Sequence, residues 1–226
     1  MLKRILGKGR LGSSRARHSD GYVLYRYLRP DGSFDYERYR EIQQVANKGK
    51  LNEVWVREEN IAFLADYIRT LIPSPHFGIC HGTRRGKEQE WFRNLLGCEV
   101  IGTEISDTAT TFPHTIQWDF HEVRPEWIRA VDFIYSNSFD HSYDPEKCLN
   151  AWMSCLKPGG ITIIEHTSLH EPAGASERDP FGADLIQMPY LITRWAQGRY
   201  GVRQLLEAPA KGVHVQHAAF IVVQNF

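Results

Sequence analysis

The chain has 226 residues, with 27 Lys and Arg against 27 Asp and Glu, so its formal net charge is zero. Six of the basic residues (Lys3, Arg4, Lys8, Arg10, Arg15 and Arg17) fall in residues 1–19, which hold no acid; the rest carries 21 basic and 27 acidic side chains, a net −6. An acidic body argues against a broad nucleic-acid surface. A hydrophobic content of 42% excludes wholesale disorder, and no apolar run approaches the ~20 residues that span a bilayer.

Residues 1–20 read as a basic, flexible tail. Leu2, Ile5 and Leu6 could form one short apolar face, giving at most a weak membrane-surface contact. No secretory h-region is evident. Cys80, Cys98, Cys148 and Cys155 form no CxxC pair and suit reduced thiols in a cytoplasmic protein. Residues 21–74 read as an N-terminal helical cap. Tyr36, Tyr39, Ile42 and Val45 predict a helix over 35–48, stopped at Gly49. Ile61, Leu64, Ile68 and Leu71 predict a second over 58–71, ended by Pro73.

From about residue 75 to 226 the pattern becomes that of one catalytic domain. Strand candidates are His76–Cys80, Glu99–Thr103, Thr115–Trp118, Val131–Ser136 and Ile161–Glu165. Helices are expected over Arg85–Leu96 and from Asp144, an N-cap followed by a first-turn proline, Pro145. Lys157-Pro158-Gly159-Gly160 breaks the latter. After an irregular stretch from His170 to about Pro180 comes a helical region kinked or stopped near Pro189. Val202–Leu206 and Ala218–Gln224 close the chain as a strand pair. Such alternation predicts a parallel sheet with helices on both faces.

Ligands bind at the carboxyl ends of strands in such a sheet. Cys80-His81-Gly82-Thr83-Arg84-Arg85-Gly86 follows the first strand, and Gly82 would let backbone approach a ligand closely. Glu104 lies 22 residues beyond Gly82, near the ~20 expected of a carboxylate that accepts ribose hydroxyls. Asp119, after the third strand, is placed to accept from an adenine amino group, with Phe120 or Trp118 beside the base. Ser136, Asn137 and His141 follow the fourth strand.

Val131–Ser136, then Asp140-His141-x-x-Asp144-Pro145, then Leu156-Lys157-Pro158-Gly159-Gly160 before Ile161–Ile164, resemble the class I S-adenosylmethionine-dependent methyltransferases. The resemblance runs from about His76 to Glu165. It implies a Rossmann-like α/β fold, a seven-stranded mostly parallel sheet with an antiparallel last strand. It also implies S-adenosyl-L-methionine as cofactor. Cys80, His81, Gly82, Thr83 and Arg84 would then hold the methionine part. Glu104 and Ile105 would hold the ribose, Asp119 and Phe120 the adenine, and Ser136 and Asn137 the floor near the sulfonium. The sequence departs from the family's acidic residue and G-x-G-x-G run: Gly78 stands for the acid, Cys80 for the first glycine and Arg84 for the third.

Methyl transfer to a hydroxyl or ammonium needs alignment and a base. His141 is the first candidate, because histidine titrates near neutrality. His166 is the second, and His170 with Glu171 the third. His166, His170, Glu171, Asp179 and Asp184 show no metal-ligand spacing, so no metal is expected. Absence of an Asn/Asp-Pro-Pro-Tyr motif points away from nucleic-acid bases. Residues 170–200, with Arg178, Tyr190, Arg194 and Trp195, read as a substrate lid. The expected function is methyl transfer to an O or N atom of a small molecule, such as a sugar or other polar metabolite. The alternatives are a degenerate binding or scaffold protein and a nicotinamide-dependent dehydrogenase, the latter disfavoured by the broken glycine pattern. The oligomeric state stays open.

Overall fold

The computed structural model describes residues 14–18 and 20–226. Most of the expected basic tail, with Lys3, Arg4, Lys8 and Arg10, lies outside the described residues. In chain order the elements are β1 (Ser14–Arg17), β2 (Val23–Arg26), α1 (Tyr36–Gly49), α2 (Glu58–Leu71), β3 (Phe77–His81), α3 (Lys87–Leu96), β4 (Glu99–Glu104) and β5 (Thr115–Gln117). They continue with β6 (Val131–Ser136), α4 (Pro145–Cys155), β7 (Leu156–Thr167), β8 (Phe181–Gly182), α5 (Met188–Ala196), β9 (Tyr200–Glu207) and β10 (Ala218–Asn225).

Seven strands form the main sheet in the order β5-β4-β3-β6-β7-β10-β9. β3, β4, β5, β6 and β7 pair in parallel, and β10 runs antiparallel between β7 and β9. The chain travels outward from β3 to β5 and then returns to β6, so a crevice opens at the carboxyl ends of β3 and β6. Successive side chains serve opposite faces: Ile79 and Ile134 pack with α4 and α5, whereas Cys80, Phe133 and Tyr135 pack with α2 and α3. Both faces are buried, which is why the central strands read as continuous apolar runs.

The expected caps are present. Asp144 accepts from the Lys147 N–H at 3.0 Å at the start of α4, and Gly97 closes α3 with φ +67. Three local expectations change. α3 begins at Lys87, because positive φ at Arg84 and Gly86 holds the preceding turn open. Lys157–Gly160 is part of β7 as a bulged entry, the register jumping from Val131–Leu156 to Phe133–Ile161. Pro189 starts α5 rather than stopping a helix, since a first-turn residue needs no N–H partner. β1, β2 and β8 form a small antiparallel sheet that the sequence did not announce; β8 is only two residues long.

α2 lies on the sheet, with Ile61, Leu64 and Ile68 fully buried. α1 lies across the carboxyl ends instead. Its buried side chains include Tyr39, Gln43 and Asn47, while Val45 of the expected apolar stripe is exposed.

Candidate active site

Gly82 leaves β3 at φ +74, and a Cβ there would come within 2.6 Å of Ser138 Cβ. The turn is fixed by backbone bonds: the N–H groups of Gly82 and Thr83 both donate to Thr103 O, at 2.8 and 3.1 Å. Arg84 keeps a left-handed conformation at φ +44 where the family resemblance expects glycine; that conformation costs a side-chain-bearing residue about 1 kcal/mol. Its guanidinium Nη1 donates to Glu53 O, and that of Arg85 to Asn52 O. A Cβ on Gly78 would run into the ring of Phe133. An aromatic ring therefore fills the place where an acid was expected.

Two carboxylates stand at successive strand ends. Glu104, the last residue of β4, accepts from the Arg84 N–H at 3.1 Å and the Ser106 N–H at 3.0 Å. Burial pushes its pKa up, and these two bonds oppose the rise. Asp119, just beyond β5, accepts from both the backbone N–H and Nδ1 of His121, at 2.9 and 2.7 Å. Burial pushes Asp119 up, but the bonds and charge of His121 outweigh it and hold the carboxyl below its ordinary value. Its Oδ2 is buried and makes no hydrogen bond among the described residues, with the Tyr36 phenol acting on the carboxylate from nearby. A buried acceptor left open in this way suits a donor on a ligand.

His141 is held by the elements that cover the site. Its Nδ1 lies 2.8 Å from Gln43 Oε1 of α1 and 2.9 Å from Arg178 O. Both neighbours are acceptors, so the network places the ring proton on Nδ1 and leaves Nε2 with its lone pair. Asp179 Oδ1 is 3.6 Å from Nε2. This arrangement leaves the Nε2 lone pair at the junction of the covering elements with a carboxylate beside it.

Two chambers meet at Gly82, Arg84, Ser138, His141 and Asp179. The narrower, of about 50 Å³, runs past Glu104, Ile105, Asp119 and Phe120 under α1. The wider, of about 300 Å³, runs past Thr83 and Asn137 to Glu88, Asp140, Glu165 and His170. The structure thus brings together Gly82, Thr83, Arg84, Glu104, Ile105 and Asp119 with Phe120, Asn137 and His141. Cys80, His81, Ser136 and His166 line neither chamber. Cys80 is buried against α2 and α3, and Ser136 Oγ donates to His81 O. His81 stacks on Trp152 at 4.8 Å, and burial pushes its pKa down to about 3. His166 Nε2 is tied to Ala183 O at 2.9 Å, and burial pushes its pKa down to about 4. Of the lid segment, His170, Gly174, Arg178 and Asp179 reach the chambers, whereas Trp195 packs in the core and Arg194 pairs with Asp20.

Asp140, His141 and Asp179 present ligand atoms within 4.8 Å of one another, the set among the described residues with the geometry to hold a cation. It shares only Asp179 with the candidates drawn from the sequence. Tyr39, Gln43, Glu88 and Glu165 were not foreseen as lining residues. The signal for α1 was the polar run Gln43 and Asn47 one helical turn apart in line with Tyr39; Glu88 reads in sequence as an ordinary first-turn acid.

Residues 79–164 match the family model described as a methyltransferase domain. No curated protein matches the sequence. Among solved structures, the chain is similar to the Burkholderia thailandensis 1,6-didemethyltoxoflavin-N1-methyltransferase with bound 1,6-didemethyltoxoflavin and S-adenosylhomocysteine. The TM-score is 0.65 at 12% identity, over 94% of this chain and 99% of that one. It is also similar to the plantazolicin methyltransferase BpumL in complex with a triazolic desmethyl analogue and S-adenosylhomocysteine. There the TM-score is 0.62 at 10% identity, over 84% and 97%. A TM-score of 0.54 at 12% identity, over 73% and 80%, relates it to the cyclase SpnF. The fold is that of the class I S-adenosylmethionine-dependent methyltransferases, and it hosts more than one reaction.

Proposed function

We propose that this chain, a class I methyltransferase by fold, transfers a methyl group from S-adenosylmethionine to an O or N atom of a small polar molecule. The observation that carries the reading is the succession of Gly82, Glu104 and Asp119 at the ends of β3 and β4 and just beyond β5, the order a methionine–ribose–adenine ligand needs, such a ligand passing at Gly82 from the narrow chamber into the wider one. Gly82 admits the chain of the amino acid, Glu104 accepts from ribose hydroxyls, and the open Oδ2 of Asp119 accepts from the adenine amino group.

When bound, the cofactor supplies a methyl group on a cationic sulfur, whose C–S electron pair leaves with a neutral thioether. The chain's own residues align the acceptor and take its proton. His141 stands at the junction of the two chambers, its Nε2 free and Asp179 beside it. The acceptor's lone pair forms the new bond to carbon, and its proton passes to Nε2. Alignment supplies most of the acceleration, because the leaving group is already activated. The wider chamber has room for a metabolite-sized acceptor.

Calorimetry with S-adenosylhomocysteine tests the reading. Wild type is expected to bind one equivalent, and Asp119→Asn to weaken binding about tenfold through loss of one charged acceptor. Absence of binding by wild type overturns it.

A further inference from the structure

The wider chamber has an acidic base and a basic rim. Glu88, Asp140 and Glu165 line it and are each 7% exposed. Lys50, Arg57, Arg84, Arg85 and Lys87 line it from more exposed positions. Glu165 ends the apolar part of β7, on the far side of β6 from the strands that carry Glu104 and Asp119. Its Oε2 accepts from the Tyr135 hydroxyl at 2.5 Å. Glu88, from the first turn of α3, lines the same chamber, and it and Glu165 repel each other's charge, while Arg84 favours the charge of Glu88 and His170 that of Glu165. Neither Glu88 nor Glu165 is ion-paired among the described residues. Three buried lining atoms have no hydrogen-bond partner among the described residues: Asp140 Oδ1, Thr83 Oγ1, on a residue 3% exposed, and Arg84 Nε at the rim. The base of the chamber is thus rich in buried carboxylates, with the cationic side chains kept to its rim.

We propose that Glu88 and Glu165 anchor a cationic nitrogen, an ammonium or guanidinium, of the methyl acceptor; this rests on the cofactor site described above. Two buried carboxylates lining one chamber are stable as charges only when enough cationic charge lies beside them, and among the described residues the rim cations form no ion pair with either. A neutral hydroxyl would satisfy one lone pair and leave the charge uncompensated. Burial raises both groups, Glu88 to about 8, and a cation beside it opposes that rise, taking the place of the proton. The cofactor carries one ammonium of its own, at the Gly82 end. Glu165 lies beyond β6, past the transfer junction, on the side left for the acceptor.

The test is calorimetric titration of the full chain, saturated with S-adenosylhomocysteine, with 1,4-diaminobutane, agmatine and 1,4-butanediol. The two cations are expected to bind at least about tenfold more tightly than the diol, the difference one buried ion pair makes. Glu88→Gln and Glu165→Gln are each expected to weaken the cations about tenfold while S-adenosylhomocysteine affinity stays within about twofold. Glutamine at 165 still accepts from Tyr135, which preserves the fold, and the comparison of probes on wild type needs no variant. Equal binding of cation and diol, or no cation binding, overturns the proposal. So does a Glu88→Gln variant that loses S-adenosylhomocysteine instead, for then the carboxylate serves the cofactor's own ammonium. If wild type fails to bind S-adenosylhomocysteine at all, the cofactor reading falls first and carries this one with it.

Discussion

The two chambers that meet at His141 are built on opposite principles. In the narrow one the acids are already satisfied by the chain: Glu104 by two backbone N–H groups, Asp119 by His121 on one oxygen. In the wide one Glu88 lacks a hydrogen bond to another residue among the described residues, and Glu165 has only a phenol. Backbone donors cannot rearrange cheaply, so the first chamber is preorganised for one ligand. The second defers its electrostatic satisfaction to whatever enters. A site that has to hold the same cofactor in every turnover and a site that selects an acceptor differ in just this way.

The largest effect expected falls on the boundary. His141→Ala should lower kcat about 100-fold while leaving S-adenosylhomocysteine affinity unchanged, measured by methyl transfer and calorimetry side by side. A loss of affinity instead would move His141 into the cofactor's half. Next comes Gly82→Ala, which forces a Cβ against Ser138 at a positive φ. It should cost about 2 kcal/mol of stability, read from urea unfolding, and weaken the cofactor as well. Glu104→Gln replaces a double acceptor by a group that can accept at only one of its two positions and sets an amide NH2 against a backbone N–H; cofactor affinity should fall about tenfold and stability by about 1–2 kcal/mol, read by calorimetry and urea unfolding. An unchanged affinity would erase the contrast between the chambers.

The smallest effect is away from both. His81 and His166 are buried with pKa values pushed down to about 3 and about 4. The unfolded chain therefore binds more protons as pH falls below about 6.5, and stability drops toward about pH 4. At about pH 5.5 each should already cost about 1 kcal/mol. His166→Asn should flatten that acid slope in a thermal melt series. An unaltered slope would show that His166 titrates in the folded protein.

The sheet was legible in the sequence because its strands are apolar on both sides and its helices are capped by residues with one physical job, Asp144, Pro145 and Gly97 among them. Glu104 and Asp119 were legible from their positions at strand ends. α1 was legible as a helix but not by its face. Its Tyr39, Gln43 and Asn47 are buried over a polar chamber, so the rule that buries apolar residues pointed to Val45, which is exposed. His166 looked like a second base because it ends a strand; its tie to Ala183 depends on a chain reversal 17 residues later that no local pattern records. Glu88 was invisible, since a first-turn glutamate is ordinary until tertiary packing closes over it.

One contact links cover to chemistry. Gln43 belongs to α1, which roofs the narrow chamber, and its Oε1 is one of the two acceptors that set the ring proton of His141. The same helix is moored by Asn47 to Thr108 and by Lys48 to Asp107. Any movement that lifts this roof withdraws Gln43, and the imidazole loses half of what fixes its tautomer. Under the proposed function, the proton acceptor is thus set only while this roof is closed: with α1 lifted, His141 keeps one backbone acceptor in place of two partners, and its ring is freer to turn.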